Sequence, residues 1–376
     1  MEKTRKNINK FLTFYHEFRI PKNQFFLKKG GGEKHLLLSS PSRMGNHALI
    51  SMLDSHPQIP KIPGEDAFLT WAFIKANYDV SRFLDNVRDI NYIKKMSSDS
   101  CLKNKWLEHK KLFHNGSCPE IYNGVQYDYN KDDKNSSLHR LPDKDSFVDF
   151  QGVILDVDYD NYHKVLSDNK GIIEQTSDFT DIFTIYSEAF RSLLNGKQDY
   201  STYCADYVYA CSGMRVQSLW ALRQYENTKL IVSIRRFESY AISMIKSFYK
   251  TSELREEFLK EAWEQWYHKV IDYLYLKLNY PEKVLLVDFD DIINESEFVS
   301  QSICRFLGID FHESMLSATI NGVNVKGNSS VSRKNHESGV FYKSTSKELD
   351  KKHIPDDYYP IWEIFNQMKY DGVLKT

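Results

Sequence analysis

The 376-residue chain has almost no net charge, few cysteines and no long apolar run. Fifty basic residues stand against 51 acidic ones, a formal charge of -1, so no global field favours nucleic acid or an anionic membrane as the main partner. The five cysteines, Cys101, Cys118, Cys204, Cys211 and Cys304, form no CxxC pair and are odd in number. A chain of this size has no need of a disulfide framework, and reduced thiols are expected. No apolar stretch approaches the length that spans a bilayer. Near the start, Phe11-Leu12-Thr13-Phe14-Tyr15 runs at once into His16 and Glu17, too short and polar for a signal-peptide core. A cytoplasmic location is the expectation. Internal repeats are absent, and so is the GK[ST] ending of a Walker A loop, which weakens kinase and NTPase readings.

What remains is an ordinary globular composition, 41% hydrophobic and 27% charged. Residues 1–34 form a basic arm, with nine basic residues against three acidic ones, closed by Gly30-Gly31-Gly32. From residue 35 to 376 the pattern reads as one domain. His35-Leu36-Leu37-Leu38-Ser39 is a strand, and helical spacing at Ala48, Leu49, Met52 and Leu53 follows, stopping before Pro57. Lys229–Ile234 is a buried strand with a helix over Tyr240–Phe248. Val284–Val287 is another, with a helix over Phe298–Leu307 that ends at Gly308. The longest helix is expected over Glu253–Leu278, with an apolar stripe from Leu254 through Trp263 and Trp266 to Leu278. Strands alternating with helices predict an α/β fold, a central parallel sheet between two helical layers. Residues 70–200 are less regular, Lys-rich then Asp-rich, and read as a mainly helical insertion with polar loops.

The chemistry concentrates at two strand–helix joints. In the first, Ser39-Ser40-Pro41-Ser42-Arg43-Met44-Gly45-Asn46-His47 leads from strand to helix. Free N–H groups and the helix dipole favour an anion there, Gly45 allows close backbone approach, and Arg43 adds a fixed cation. In the second, Arg235 ends a strand and Ser243 lies eight residues on in the next helix, a guanidinium and a hydroxyl able to hold one phosphate. The bland alternative is a surface Arg235 paired with Glu238.

The segment Pro41–Pro57, ending Met52-Leu53-Asp54-Ser55-His56-Pro57, resembles the 5′-phosphosulfate loop of the sulfotransferase family in its bacterial and Golgi-type branch. That branch carries a Pro-Arg-Ser-Gly-Thr-Thr-like core and a helix ending Leu-Asp-x-His-Pro. Here Ser42 is an extra residue, and Met44 stands where a Ser is usual. Arg235 and Ser243 match the family's 3′-phosphate pair, with Arg236-Phe237 in place of Asp-Pro. Val284–Ile292 resembles the later strand with its Tyr-Glu-Asp-Leu-type ending, and Lys326-Gly327-Asn328-Ser329-Ser330, followed by Arg333, resembles a loop that lies over the nucleotide.

The resemblance implies a P-loop-like three-layer fold and 3′-phosphoadenosine 5′-phosphosulfate (PAPS) as donor, with 3′,5′-ADP as product. It implies donor contacts from Ser42, Arg43, Met44, Gly45, Asn46, His47, Arg235, Ser243, Gly327, Asn328, Ser329 and Arg333. The acceptor would be a hydroxyl of a carbohydrate or small molecule. Arg43 would steady the leaving phosphate oxygen. Glu65, in Pro63-Gly64-Glu65-Asp66, resembles the segment that supplies the base in the tyrosine-sulfating branch, with His47 and His56 as other candidates. No metal is required, and Asp288, Asp290 and Asp291 fit a strand end and helix start as well as a Mg²⁺ site. An ATP-dependent phosphotransferase and a non-catalytic nucleotide-binding protein stay open as alternatives.

Overall fold

The structure is a computed structural model. It describes residues 35–41, 43–54, 56–59, 120–122, 125–127, 146–148, 153–156, 159–176, 204–210, 226–249, 251–320, 323–324, 339–341 and 349–371, with isolated positions at 85, 88, 89, 185, 189, 222 and 373.

Apolar runs become strands where both faces can be covered. β1 (His35–Pro41) leads into α1 (Asn46–Leu53). A small sheet follows from β2 (Glu120–Tyr122), β3 (Val125–Tyr127), β4 (Ser146–Val148) and β5 (Val153–Asp156), in the order β3-β2-β5-β4. Next come α2 (Tyr159–Asp168) and α3 (Lys170–Gln175). The stretch between residues 70 and 200 therefore holds strands as well as the expected helices. Strands of three or four residues in a polar stretch of sequence are too short for alternation to announce them.

The main sheet adds β6 (Cys204–Ala210), β7 (Thr228–Ile234) and β8 (Val284–Asp288), in the order β6-β1-β7-β8 with every pairing parallel. After β7 come α4 (Phe237–Phe248) and the 24-residue α5 (Glu256–Asn279). After β8 come α6 (Phe289–Asn294) and α7 (Ser296–Leu307). A short hairpin, β9 (Thr319–Ile320) and β10 (Val323–Asn324), precedes α8 (Tyr358–Met368). The α/β class is as the sequence predicts. β6 was not foreseen: its Cys-Ala-Asp-Tyr-Val-Tyr-Ala run neither alternates nor stays apolar.

Alternate strand residues feed two cores. Leu37, Leu230, Val232, Ile234, Val284 and Leu286 pack with α4, α5 and α8; Leu36, Leu38, Ile231, Leu285 and Val287 pack with α1 and α7 on the other face. Burying each such aliphatic side chain contributes roughly 1.5–3 kcal/mol. α5 starts later than expected, so Leu254 precedes it and is exposed, while Trp266 is fully buried. α7 stops where Gly308 takes φ +71, which lets both Gly308 and Ile309 donate N–H bonds to the Cys304 carbonyl.

This strand order has a switch point between β1 and β7. From β1 the main sheet continues to β6 on one side, and from β7 it continues to β8 on the other. Adjacent parallel strands whose connections leave in opposite directions open a gap at their carboxyl ends. Both sequence motifs lie there.

Candidate functional site

The turn after β1 owes its shape to two positive backbone angles, Arg43 at φ +71 and Gly45 at φ +104. Gly45 needs its missing Cβ twice over. Its φ is left-handed, and a Cβ would lie 2.3 Å from Phe289 Cδ2 and 2.7 Å from Ser233 Oγ. α1 then begins with the Leu49 N–H bonded to the Gly45 carbonyl at 3.1 Å, leaving earlier N–H groups free of intrahelical partners. Met44 turns its side chain wholly into the α4–α5 core, and its carbonyl accepts the Ser233 hydroxyl. What Met44 can offer a ligand is therefore backbone. Ser42 lies outside the described residues, and of Asn46 and His47 only the helical backbone is described.

Arg235 is not the surface residue of the bland reading. It is 7% exposed, just past the end of β7, with its guanidinium carbon 4.6 Å from the Phe289 ring centroid. The Trp266 indole N–H holds the Arg235 carbonyl at 2.8 Å and so fixes the backbone under it. The buried Nε has no hydrogen-bond partner among the described residues. Burial pushes this guanidinium down to about 10; Asp290 pulls it back and Arg43 presses the same way as burial. It stays charged at neutral pH. The influence of Arg43 brings the two motif arginines into one field, across the β1–β7 gap. The ion pair falls to the next residue: Arg236 Nε meets Asp290 at 3.3 Å near the surface. Ser243 is half-buried on the second turn of α4.

The other candidates divide. His56 is committed to structure: its Nδ1 accepts the Gln58 N–H at 3.1 Å and its Nε2 donates to the Asp310 carbonyl at 2.8 Å. It anchors the end of α1, as its His-Pro setting suggested. Asp288 caps α6 by accepting the Asp290 N–H at 2.9 Å, and Lys369 bridges Asp288 and Asp291 at 3.1 Å each. These acids form a helix start with an internal counter-ion. Glu65, Gly327, Asn328, Ser329 and Arg333 lie outside the described residues. The sequence did not point to Ser233 and Phe289, which shape the turn and underlie Arg235; no spacing rule marks them.

A glycine turn at a helix start with two arginines in one field can hold two anionic groups. The sequence profile of the Sulfotransferase family matches residues 40–313, from the end of β1 to beyond α7. This chain belongs to the sulfotransferase family. As a sulfotransferase it is a transferase. Among the described residues, none of its helices is long and apolar enough to cross a membrane. The sulfotransferase domain of the Synechococcus PCC 7002 olefin synthase superposes with a TM-score of 0.45 at 13% identity, covering 91% of this chain and 98% of that one. The sulfotransferase domain of the curacin biosynthetic pathway gives 0.44 at 11%, with the same coverage. Sulfotransferase STF1 of Mycobacterium tuberculosis H37Rv gives 0.37 at 12%, covering 75% and 69%. No curated protein sequence matches the chain.

Proposed function

We propose that this sulfotransferase moves the sulfuryl group of PAPS onto a hydroxyl of a carbohydrate or small-molecule acceptor. The observation that carries the donor assignment is Arg235: a buried guanidinium, held on an aromatic ring, whose Nε lacks a partner among the described residues. An unpartnered buried donor is costly unless a ligand completes it. A phosphate does so with charge-assisted bonds, and it offsets the desolvation of the buried cation. Ser243 would add a hydroxyl to the same 3′-phosphate. The Arg43–Gly45 turn would take the 5′-phosphosulfate on its backbone N–H groups, with Asn46 and His47 at the helix start. Ser42 and the loop of Gly327, Asn328, Ser329 and Arg333 complete the proposed donor contacts.

PAPS supplies a sulfur bonded to a phosphate oxygen that can leave. The acceptor oxygen attacks that sulfur in line, the S–O bond to the phosphate breaks, and its electron pair stays on 3′,5′-ADP. Arg43 offsets the charge growing on that oxygen. The acceptor proton goes to Glu65, the proposed base, with His47 the other candidate. The chemistry needs no metal, because arginines and backbone dipoles carry the charge.

Calorimetric titration with 3′,5′-ADP in EDTA, with ATP for comparison, tests the donor assignment. Micromolar, metal-free binding that prefers 3′,5′-ADP and loses that preference in Arg235→Ala is the expected result. Binding only to ATP with Mg²⁺ would overturn it in favour of a phosphotransferase.

A further inference from the structure

We propose that Phe289 is a positioning residue for the donor nucleotide: one ring sets the guanidinium of Arg235 and the Met44–Gly45 turn relative to each other, and so makes the protein selective for nucleotides bearing a 3′-phosphate. This rests on the PAPS reading above.

The parallel register brings the residues together. β7 and β8 run side by side with Ile234 opposite Asp288, so Arg235 and Phe289 are each the next residue beyond the last pair. Phe289 is 6% exposed and cannot swing away. One face of its ring lies under the Arg235 guanidinium, 4.6 Å from centroid to carbon. Its edge abuts Gly45 so closely that any Cβ there would overlap two ring carbons, at 2.3 and 3.1 Å. A single side chain thus touches the cation proposed for the 3′-phosphate and the turn proposed for the 5′-phosphosulfate. Its own backbone is fixed from behind, since Asp288 caps α6 and takes Lys369.

The ring also holds the guanidinium in place. The negative face of the aromatic attracts the cation above it. The Nε, unpartnered among the described residues, remains a donor for an acceptor. An aliphatic residue could fill the same volume, yet would not attract the cation and so would not keep its distance from the turn. Phe289 touches no reacting atom in this scheme and acts through Arg235 and Gly45.

The test measures 3′,5′-ADP and 5′-AMP affinities by calorimetry for the wild type, Phe289→Leu, Phe289→Tyr, and protein with pentafluorophenylalanine at 289. The readout is the ratio of the two affinities. The ratio should fall about tenfold in Phe289→Leu and in the fluorinated protein, whose ring keeps its shape but loses its attraction for a cation. It should be kept in Phe289→Tyr. In an Arg235→Ala background, Phe289→Leu should leave the ratio unchanged, because the residue acts through the arginine. A merely structural role would weaken both nucleotides equally and leave the ratio intact; that outcome overturns the inference. If Phe289→Leu does not fold, the fluorinated protein decides. A wild type with no preference for 3′,5′-ADP would sink the PAPS reading and this inference together. A wild-type preference with an unmoved ratio sinks the inference alone.

Discussion

β7 and β8 lie side by side, and each delivers a buried charged residue to the same edge of the sheet, yet the two corners treat that charge in opposite ways. At the β8 corner Asp288 is 3% exposed and fully occupied: it caps the Asp290 N–H and takes Lys369, which also reaches Asp291. Tyr370 packs on the same corner, its hydroxyl 3.4 Å from the Asp288 backbone nitrogen. At the β7 corner Arg235 is as buried but its Nε has no partner among the described residues, and one carboxylate oxygen of Glu238 in the following turn is likewise unmatched. The first corner is finished by the chain itself. The second is not finished by the described residues, which supports the proposed phosphate contact there and sets it apart from a structural charge cluster of the same composition.

Substituting the two charges separately should therefore give opposite results. Arg235→Met removes a buried charge that lacks a complete set of partners and keeps the side-chain bulk, so stability should hold or rise. Affinity for 3′,5′-ADP should fall by at least about thirtyfold, roughly 2 kcal/mol. Asp288→Ala removes a cap and strands part of the Lys369 charge, and should cost roughly 2–3 kcal/mol of stability, with a much smaller effect on nucleotide affinity. Denaturant unfolding and calorimetry on the same two proteins check this. If Arg235→Met destabilised as much as Asp288→Ala, the β7 corner would be structural too.

A smaller effect sharpens the comparison on the loop side. Gly45→Ala places a Cβ against Phe289 and Ser233 at φ +104. The strain should cost about 1–3 kcal/mol, and the turn can relieve it by moving off the ring. Unlike Asp288→Ala, this variant should lose affinity for 5′-AMP and 3′,5′-ADP by similar factors, since the 5′ end is the part displaced. Unchanged 5′-AMP binding would show that the turn does not hold the 5′ end.

How much of this was legible beforehand follows from the range of each interaction. β1, β7 and β8 were readable because parallel strands covered on both faces read as apolar runs, and Leu36–Leu38, Leu230–Val232 and Val284–Val287 are such runs. β6 was not, because its run carries Asp206 and Tyr209 and fits neither an apolar run nor an alternating one. The phosphate turn and Arg235 were legible through local spacing and resemblance. Their support was not: the Phe289 contact with Gly45 spans most of the domain and exists only because β7 pairs with both β1 and β8. Asp288, Asp290 and Asp291 resemble a metal cluster in sequence, yet Lys369, 78 or more residues away, answers Asp288 and Asp291, and Arg236 answers Asp290. A counter-ion at that separation leaves no local mark.

The weakest effect concerns a third buried ionisable group. His56 lies on the finished side of the comparison: both ring nitrogens are used, and burial holds it below its usual value of 6.5, with His312 adding to the shift and the Asp310 carbonyl opposing it. A histidine depressed in the folded state is protonated first in the unfolded chain. Its stabilisation is complete above about pH 6.5 and drains away as pH falls toward the folded value. His268, lowered by desolvation, works in the same direction. Unfolding free energy should therefore decline between pH 7.5 and 5.5. His56→Gln, less stable at pH 7.5, should decline less steeply, while His268→Gln retains the His56 share. Because His56 serves the α1 end and not the crevice, 3′,5′-ADP affinity should change no more steeply with pH in His56→Gln than in the wild type. A steeper change would place His56 among the groups that serve the ligand, and the division between finished and unfinished corners would have to be redrawn.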